Sequence, residues 1–215
     1  MVDDMSTTSR RLKLHVIVAS TRPGRVGPQI ADWFAAQVPA DLGFDVEVLD
    51  LAEVGLPLLD EPHHPAEQLY VHDHTRRWSE SVAAADAFVL VMPEYNVGFT
   101  APLKNALDYL YTEWNHKPVG FVSYGMTSAG LRAVEMIKPV LISLKMLPVH
   151  QAVSIPLRLR LGADGVLQPD EVMAEAAQDL LTELRVLAEA LAPVRQTLAD
   201  ADGLLTEDDL ATVGA

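Results

Sequence analysis

Residues Ala87-Phe88-Val89-Leu90-Val91-Met92, followed by Pro93-Glu94-Tyr95-Asn96-Val97-Gly98-Phe99-Thr100, form the stretch that decides the fold. The unbroken apolar run predicts a strand buried on both faces, as in the middle of a parallel sheet. Thr100 then has the character of a helix N-cap, and Pro102 falls in the first turn after it. A buried strand that turns through a loop into a helix is the repeating unit of α/β proteins.

Extended and helical patterns alternate on both sides of this unit. Strands are predicted over residues 12–19, 44–50, 87–92, 117–122 and 147–155. Helices are predicted over residues 30–38, 76–85, 100–114, 131–145 and from 169 to just before Pro193. This order predicts an α/β fold, with a doubly wound five-stranded parallel sheet and helices on both faces. Residues 54–74, which contain three prolines, are predicted to form a surface excursion.

Length and charge limit the function classes. A chain of 215 residues is expected to hold one main domain, here residues 12–192, with a flexible N-terminal arm (1–11) and an acidic C-terminal tail (193–215). The net charge of −14 disfavours binding to nucleic acid or to an anionic membrane. Cysteine is absent, which excludes disulfides and thiolate sites. No apolar run approaches the roughly 20 residues of a membrane span, and the N-terminus lacks a signal-peptide core, so a cytoplasmic location is expected.

Three loops are the candidate ligand sites, because parallel sheets bind ligands beyond the carboxyl ends of their strands. The first loop (residues 20–27) combines two hydroxyls, two glycines and two arginines ahead of a helix, which suits a phosphate dianion. It matches neither the P-loop pattern nor Gly-x-Gly-x-x-Gly. The alternative for this loop is a polar connector with solvated arginines.

The other two loops have the composition of a site for a flat ring. The second loop (residues 93–100) can present backbone N–H and C=O groups to a polar heterocycle, although Tyr95 and Phe99 could instead cap the core. In the third loop (residues 123–130), small residues such as Ser128 and Gly130 allow a ligand to approach the backbone closely.

The motifs in these loops resemble those of the NADPH-dependent FMN reductases, a flavodoxin-like family that also includes quinone, azo-dye and chromate reductases. Pro93-Glu94-Tyr95-Asn96, six residues and then Leu103-Lys104-Asn105-Ala106-Leu107-Asp108 are similar to that family's PEYN…LKNAxD signature. Ser20-Thr21-Arg22 resembles its phosphate loop. Ser123-Tyr124-Gly125, followed by Gly130-Leu131-Arg132-Ala133, resembles its second flavin loop. The likeness covers roughly residues 12–155.

This resemblance implies an enzyme that binds FMN non-covalently, takes NADPH or NADH as co-substrate and reduces a small electron acceptor such as FMN or a quinone. No catalytic side chain and no metal are expected, because the flavin performs the chemistry. The family usually forms homodimers or homotetramers. The implied FMN contacts are Ser20, Thr21, Arg22 and Arg25 at the phosphate, Pro93, Glu94, Tyr95 and Asn96 along the ring and ribityl chain, and Ser123, Tyr124 and Gly125 at the pyrimidine edge.

The sequence also departs from the family pattern. Ala19 replaces the usual glycine before the first serine, and Arg25 and Gly27 stand where a later serine and asparagine are usual. The third loop is one residue longer, with Ala129 beside Gly130 in place of paired glycines. These changes predict a phosphate site that relies more on arginine than on hydroxyl and amide groups.

Several alternatives stay open at the level of sequence. The protein could be a flavodoxin-like electron carrier that does not oxidise NADPH. It could also be a flavin-free enzyme that uses the same crevice, with Glu94 as nucleophile. Zinc binding by His63, His64, His72 and His74 with Asp73 is less favoured than a solvated loop. The apolar helix face that carries Leu107, Leu110, Tyr111 and Trp114 is a candidate subunit interface.

Overall fold

The computed structural model describes residues 10–202. Five strands form one parallel sheet in the order β2-β1-β3-β4-β5. They are β1 (Leu12–Val18), β2 (Phe44–Asp50), β3 (Ala87–Pro93), β4 (Pro118–Gly125) and β5 (Leu147–Pro156). The predicted fold class is confirmed, and the direction of winding reverses between β1 and β3, where doubly wound sheets bind ligands.

Helices cover both faces of the sheet. They are α1 (Gly27–Ala35), α2 (Leu51–Val54), α3 (Asp73–Ala84), α4 (Ala101–Asp108), α5 (Leu131–Ser143), α6 (Leu157–Arg160) and α7 (Glu171–Asp202). On one face α1 and α7 pack against Val89 and Val91 of β3. On the other face α3, α4 and α5 pack against Phe88, Leu90 and Met92. Among residues 10–202, none of the helices is long and apolar enough to cross a membrane.

The region after α4 differs from the prediction. The helix ends at Asp108, and a short 3₁₀ turn (Thr112–Trp114) returns the chain to the sheet. The Trp114 ring lies 5.0 Å from the Phe88 ring, and Leu107, Leu110 and Trp114 are all buried in the chain's own core. These three residues of the predicted subunit interface therefore have no surface left to offer to a second chain, whereas Tyr111, the fourth, is only half-buried.

The last helix also differs from the prediction, since α7 continues through Pro193 to Asp202. Proline removes one helical hydrogen bond and crowds the preceding turn. The helix is held beyond it by Arg195, which donates to Asp86 Oδ1 at 3.2 Å and to the His116 carbonyl at 3.3 Å. The predicted boundary between domain and tail at 192/193 thus falls inside a helix, and residues 203–215 of the predicted tail lie outside the described residues.

At the other end of the chain, the last two residues of the predicted N-terminal arm contact the domain. Arg10 donates to Asp86 Oδ2 at 3.1 Å, and Arg11 donates through Nε to Asp45 Oδ1 at 2.5 Å. Residues 1–9 of this arm lie outside the described residues.

Candidate active site

The three predicted loops meet at the carboxyl edge of the sheet, where they follow the neighbouring strands β1, β3 and β4. The hydroxyls of Ser20 and Tyr95 share a hydrogen bond of 2.7 Å, which joins the first loop to the second. The Glu94 N–H donates to the Tyr124 carbonyl at 3.0 Å, which joins the second loop to the third. The loops therefore form one connected rim.

The first loop exposes unused hydrogen-bond donors. Thr21, Arg22 and Gly24 are exposed, and none of their backbone N–H groups has a hydrogen-bond partner within residues 10–202. The Arg22 guanidinium has no carboxylate partner in the same part of the chain. Helix α1 begins directly after the loop, and its N-cap residue Val26 provides no side-chain cap. Free N–H groups, a helix start and a guanidinium together can bind a doubly charged anion.

Arg25 differs from Arg22 because its guanidinium is already engaged. One of its terminal nitrogens forms an ion pair with Asp50 at the end of β2, and both side chains are mostly buried. This pair neutralises the Arg25 charge and fixes the guanidinium on the β2 side of the loop. Of the two predicted arginine contacts, only Arg22 has a guanidinium that is not already paired within residues 10–202.

The Tyr124 side chain lies at the first loop. A Cβ at Gly27, the first residue of α1, would sit only 2.9 Å from Tyr124 Oη, so the hydroxyl lies directly against the start of the helix. The buried hydroxyl has no hydrogen-bond partner within the described chain. Burial raises the Tyr124 pKa, and the nearby Tyr95 hydroxyl raises it further. The Tyr124 hydroxyl therefore stays protonated and can donate a hydrogen bond. The resemblance implies Tyr124 at the pyrimidine edge, but alternation along β4 sends its side chain to the opposite face from Ser123.

The second loop contains a tight turn. Tyr95 and Gly98 exchange two backbone hydrogen bonds of 2.9 and 3.0 Å, and the two residues between them have left-handed backbones, with φ of 49° at Asn96 and 74° at Val97. Two left-handed residues define a type I′ turn. Asparagine tolerates this conformation, whereas a β-branched valine is strained in it, and such strain is concentrated at functional sites. The exposed Asn96-Val97 pair forms the tip of the rim.

The third loop folds back onto its own strand. Ser123 Oγ donates to the Ala129 carbonyl at 2.8 Å, and Ala129 and Gly130 both have left-handed backbones, with φ of 53° and 87°. A Cβ at Gly130 would lie 2.7 Å from the Tyr124 nitrogen, so no larger residue fits. The backbone geometry explains the paired glycines of the family pattern, and Ala129 occupies one of these positions at some cost in strain.

The Glu94 carboxylate is bound within the protein. It accepts hydrogen bonds from Ser128 Oγ at 2.5 Å, from Arg132 Nε at 2.6 Å and from the Arg132 N–H at 3.1 Å, and its side chain is only 5% exposed. Burial tends to raise the Glu94 pKa, but the hydrogen bonds from Ser128 and Arg132 outweigh it and lower this pKa below its usual value. Glu94 thus holds the third loop to the second. These contacts leave it unsuited to the role of nucleophile.

The second half of the signature fastens the long excursion between β2 and α3. Asn105 donates to the Pro57 carbonyl at 2.6 Å and accepts from the Leu59 N–H at 3.0 Å, while Lys104 pairs with Asp108 along the helix at 2.6 Å. The excursion, α2 and α4 enclose a cavity of about 440 Å³ next to Thr21. Asn105 lines this cavity and therefore helps to shape it.

Two of the four histidines of this excursion lie beside the Asp60 carboxylate. The rings of His72 and His74 stack with 5.1 Å between their centres, and His74 Nε2 lies 3.0 Å from Asp60 Oδ1. Tyr109 Oη donates to the same oxygen at 2.9 Å. Throughout residues 10–202, no group of three or more histidine and carboxylate side chains is arranged to hold a metal ion. His63 pairs loosely with Glu67 instead, and His64 caps the following 3₁₀ turn.

The strand order, with three loops meeting at the carboxyl edge of the sheet, defines a flavodoxin-like α/β protein. The family model described as NADPH-dependent FMN reductase matches residues 12–158. The chain belongs to this family. It is accordingly an oxidoreductase that uses FMN as cofactor and NAD(P)H as co-substrate.

Known relatives agree with this assignment. An NAD(P)H-dependent FMN reductase of Schizosaccharomyces pombe is 42% identical over 148 residues, which cover 67% of this chain and 74% of the relative. An NAD(P)H-dependent FMN reductase of Nectria sp. is 34% identical over 196 residues, covering 83% and 96% of the two chains. Among solved structures, an NAD(P)H:acceptor oxidoreductase from Paracoccus denitrificans superposes with a TM-score of 0.66 at 19% identity, covering 83% of this chain and 98% of that one. This last similarity supports the fold.

Proposed function

We propose that the FMN phosphate binds at the first loop, between the free N–H groups of Thr21 and Gly24 and the Arg22 guanidinium. The observation that supports this most directly is the buried Tyr124 hydroxyl, which has no partner within residues 10–202 and lies against the start of α1. A buried polar group without a partner is costly. A phosphate oxygen would supply the missing acceptor, so the residues present fit this cofactor.

The flavin ring is proposed to lie along the second and third loops. Pro93, Tyr95 and Asn96 provide the wall on one side. At the other edge, Met126 and Thr127 are exposed residues that follow Gly125, and their backbone N–H groups have no partner in the described part of the chain. Such donors stabilise the negative charge that develops at the pyrimidine edge when a flavin is reduced. Glu94 fixes the position of this loop through its hydrogen bonds with Ser128 and Arg132.

The chain's own residues have limited tasks in the reaction. They bind the cofactor, leave one face of the ring open to a second substrate and stabilise the reduced charge. When bound, FMN supplies the hydride chemistry between NAD(P)H and a small acceptor such as a quinone or free flavin.

A homodimer is proposed to complete the site. The apolar side chains that are more than half exposed in the second loop, the third loop and the first half of α5 are Val97, Met126, Leu131 and Met136. Met136 Sδ lies against Gly98, so this apolar rim is continuous with the second loop. Apolar surface of this kind beside a binding site marks a contact with a second protein surface. A cytoplasmic location, where NAD(P)H is available, is part of the same proposal.

An absorption spectrum of the purified protein reconstituted with FMN, taken before and after anaerobic addition of NADPH, tests this function. We expect a protein-bound flavin spectrum that bleaches with NADPH and returns when quinone or oxygen is added. The variant Arg22→Ala should bind FMN less tightly, whereas Arg77→Ala, on the outer side of α3, should not. A bound flavin that NADPH leaves oxidised would identify an electron carrier, and a protein that fails to bind FMN would overturn the proposed site.

A further inference from the structure

The cations of this acidic chain are unevenly paired. All 16 lysines and arginines lie within residues 10–202. Ten of them form ion pairs with carboxylates, namely Arg10, Arg11, Arg25, Arg76, Lys104, Arg132, Lys138, Arg160, Arg185 and Arg195. Six have no carboxylate partner in that part of the chain, namely Lys13, Arg22, Arg77, Lys117, Lys145 and Arg158. With a net charge of −14, an arginine without a carboxylate partner is notable.

Only two of these six cations lie at the carboxyl edge of the sheet. Lys13, Lys117 and Lys145 lie at or just before the amino ends of β1, β4 and β5, and Arg77 lies in the middle of α3. The two at the carboxyl edge are Arg22, in the first loop, and Arg158, two residues beyond the end of β5. Both are exposed. Arg22 is already assigned to the FMN phosphate, which leaves Arg158 without a role.

Two sets of contacts hold the Arg158 segment beside the proposed flavin site. At its start, Pro156 pairs with Gly125, the last residue of β4 and the beginning of the ring-binding edge. Two residues span at most about 8 Å, so Arg158 stays close to that edge. Farther along, Gln29 in the first turn of α1 donates to the Gly165 carbonyl at 3.0 Å and accepts from the Leu167 N–H at 2.8 Å. The segment therefore runs from the ring edge to the phosphate end.

The carboxylates nearest to Arg158 along the chain are engaged elsewhere. Asp164 accepts from the Val166 N–H at 3.0 Å within its own turn. Asp170 forms an ion pair with Arg160, which lies two residues after Arg158. Leu159, between the two arginines, is 70% exposed and offers an apolar surface next to the Arg158 charge. The local structure thus leaves one guanidinium open to solvent beside an apolar side chain.

We propose that Arg158 binds the 2′-phosphate of NADPH and gives this enzyme a preference for NADPH over NADH. The proposal rests on the proposed function, since it places the nicotinamide at the open flavin face and the adenosine end toward the β5–α7 segment. A guanidinium binds a phosphate monoester through two parallel hydrogen bonds, and arginine serves this purpose in other NADP-binding sites. Because the chain repels anions overall, a local cation is needed to bind the more highly charged of the two nucleotides.

Steady-state kinetics of the FMN-loaded enzyme with each nucleotide test the specificity. For Arg158→Ala, KM for NADPH should rise about 10- to 100-fold, the scale of a charged hydrogen bond, while KM for NADH and kcat stay unchanged. For Arg158→Lys, the rise in KM for NADPH should be smaller than for Arg158→Ala, because lysine keeps the charge but cannot form two parallel hydrogen bonds. Arg77→Ala is the matched control, an exposed arginine also without a carboxylate partner, and should behave as the unaltered enzyme. Equal changes in KM for both nucleotides, or no change for either, would overturn the proposal.

A binding measurement separates this proposal from the proposed function. Adenosine 2′,5′-bisphosphate and adenosine 5′-monophosphate carry the adenosine end with and without the 2′-phosphate, and neither can be oxidised. Calorimetric titration of the FMN-loaded protein should show tighter binding of the bisphosphate, and Arg158→Ala should abolish the difference. If the difference persists in Arg158→Ala, the 2′-phosphate binds elsewhere, even if NADPH bleaches the flavin normally. Failure of the flavin to bleach with either nucleotide would instead count against the proposed function.

Discussion

The Ser20 and Tyr95 hydroxyls lie 2.7 Å apart and connect the first loop to the second across the junction of β1 and β3. A second contact reinforces this junction, because Thr100 Oγ1 donates to the Ala19 carbonyl at 2.7 Å. The Thr100–Ala19 contact is buried, whereas the Ser20–Tyr95 contact joins a buried serine to an exposed tyrosine. The phosphate end and the ring end of the proposed site are thus held at a fixed separation by side chains of the protein.

Removing the Tyr95 hydroxyl tests the importance of that separation. For Tyr95→Phe we expect FMN affinity to fall by about 0.5–1.5 kcal/mol, the value of one neutral hydrogen bond, while the fold stays intact. Titration of the apoprotein with FMN, followed by fluorescence quenching, measures the change. Tyr111→Phe, in the turn after α4, is the control and should bind FMN normally. Equal affinities for Tyr95→Phe and the parent would show that the loops keep their separation without this bond.

The two arginines of the first loop should respond differently to truncation. Arg22→Ala should weaken FMN binding by about 1.5–3 kcal/mol, because it removes a charged hydrogen bond to the phosphate, and should leave the unfolding free energy unchanged. Arg25→Ala should lower the unfolding free energy, because it leaves the mostly buried Asp50 carboxylate without its partner. FMN titration and urea unfolding of both variants distinguish the two roles. An Arg22→Ala variant that binds FMN as the parent does would remove Arg22 from the phosphate site.

The sequence predicts the sheet well because the relevant information is local. The apolar run at β3 and the N-cap at Thr100 follow from neighbouring residues. The errors arise from contacts between residues far apart in sequence. Helix α4 ends early because Trp114 packs on Phe88, and α7 continues past Pro193 because Arg195 reaches Asp86. No local pattern encodes these pairings.

The same distinction applies to the site. The loops and their motifs are evident in the sequence, but the direction of each side chain is not. The sequence gives no indication that Arg25 is paired with Asp50, which ends a different strand. The position of the Tyr124 hydroxyl follows from the alternation of side chains along β4. The sequence would predict this position once the pairing of β4 with its neighbouring strands is known.

Crowding at Gly130 can be separated from backbone strain by comparison with Gly24. Both residues have a left-handed backbone, with φ of 87° and 71°, but a Cβ at Gly130 would collide with Ser123 and Tyr124, whereas Gly24 has nothing within 4 Å. Gly24→Ala should cost about 1–2 kcal/mol of unfolding free energy from strain alone. Gly130→Ala should cost more, because the third loop must also move. Urea unfolding of the two variants gives the comparison, and equal losses would mean that the loop accommodates the methyl group.

The contacts of Glu94 predict a dependence of stability on pH. Its pKa in the folded protein lies below the usual value of 4.5, although burial alone would raise it, because Ser128 and Arg132 stabilise the carboxylate. Between these two pKa values the unfolded chain binds more protons, so stability rises with pH there. The contribution of the Glu94 carboxylate to stability is therefore complete above about pH 4.5 and is lost as the pH falls through the folded-state pKa.

The variant Glu94→Gln tests this dependence. It should be less stable than the parent by about 1–3 kcal/mol at pH 7, and the unfolding free energies of the two proteins should become equal in acid. Urea unfolding at intervals between pH 3 and 7 measures the difference, and a gap that does not depend on pH would show that the carboxylate charge contributes nothing.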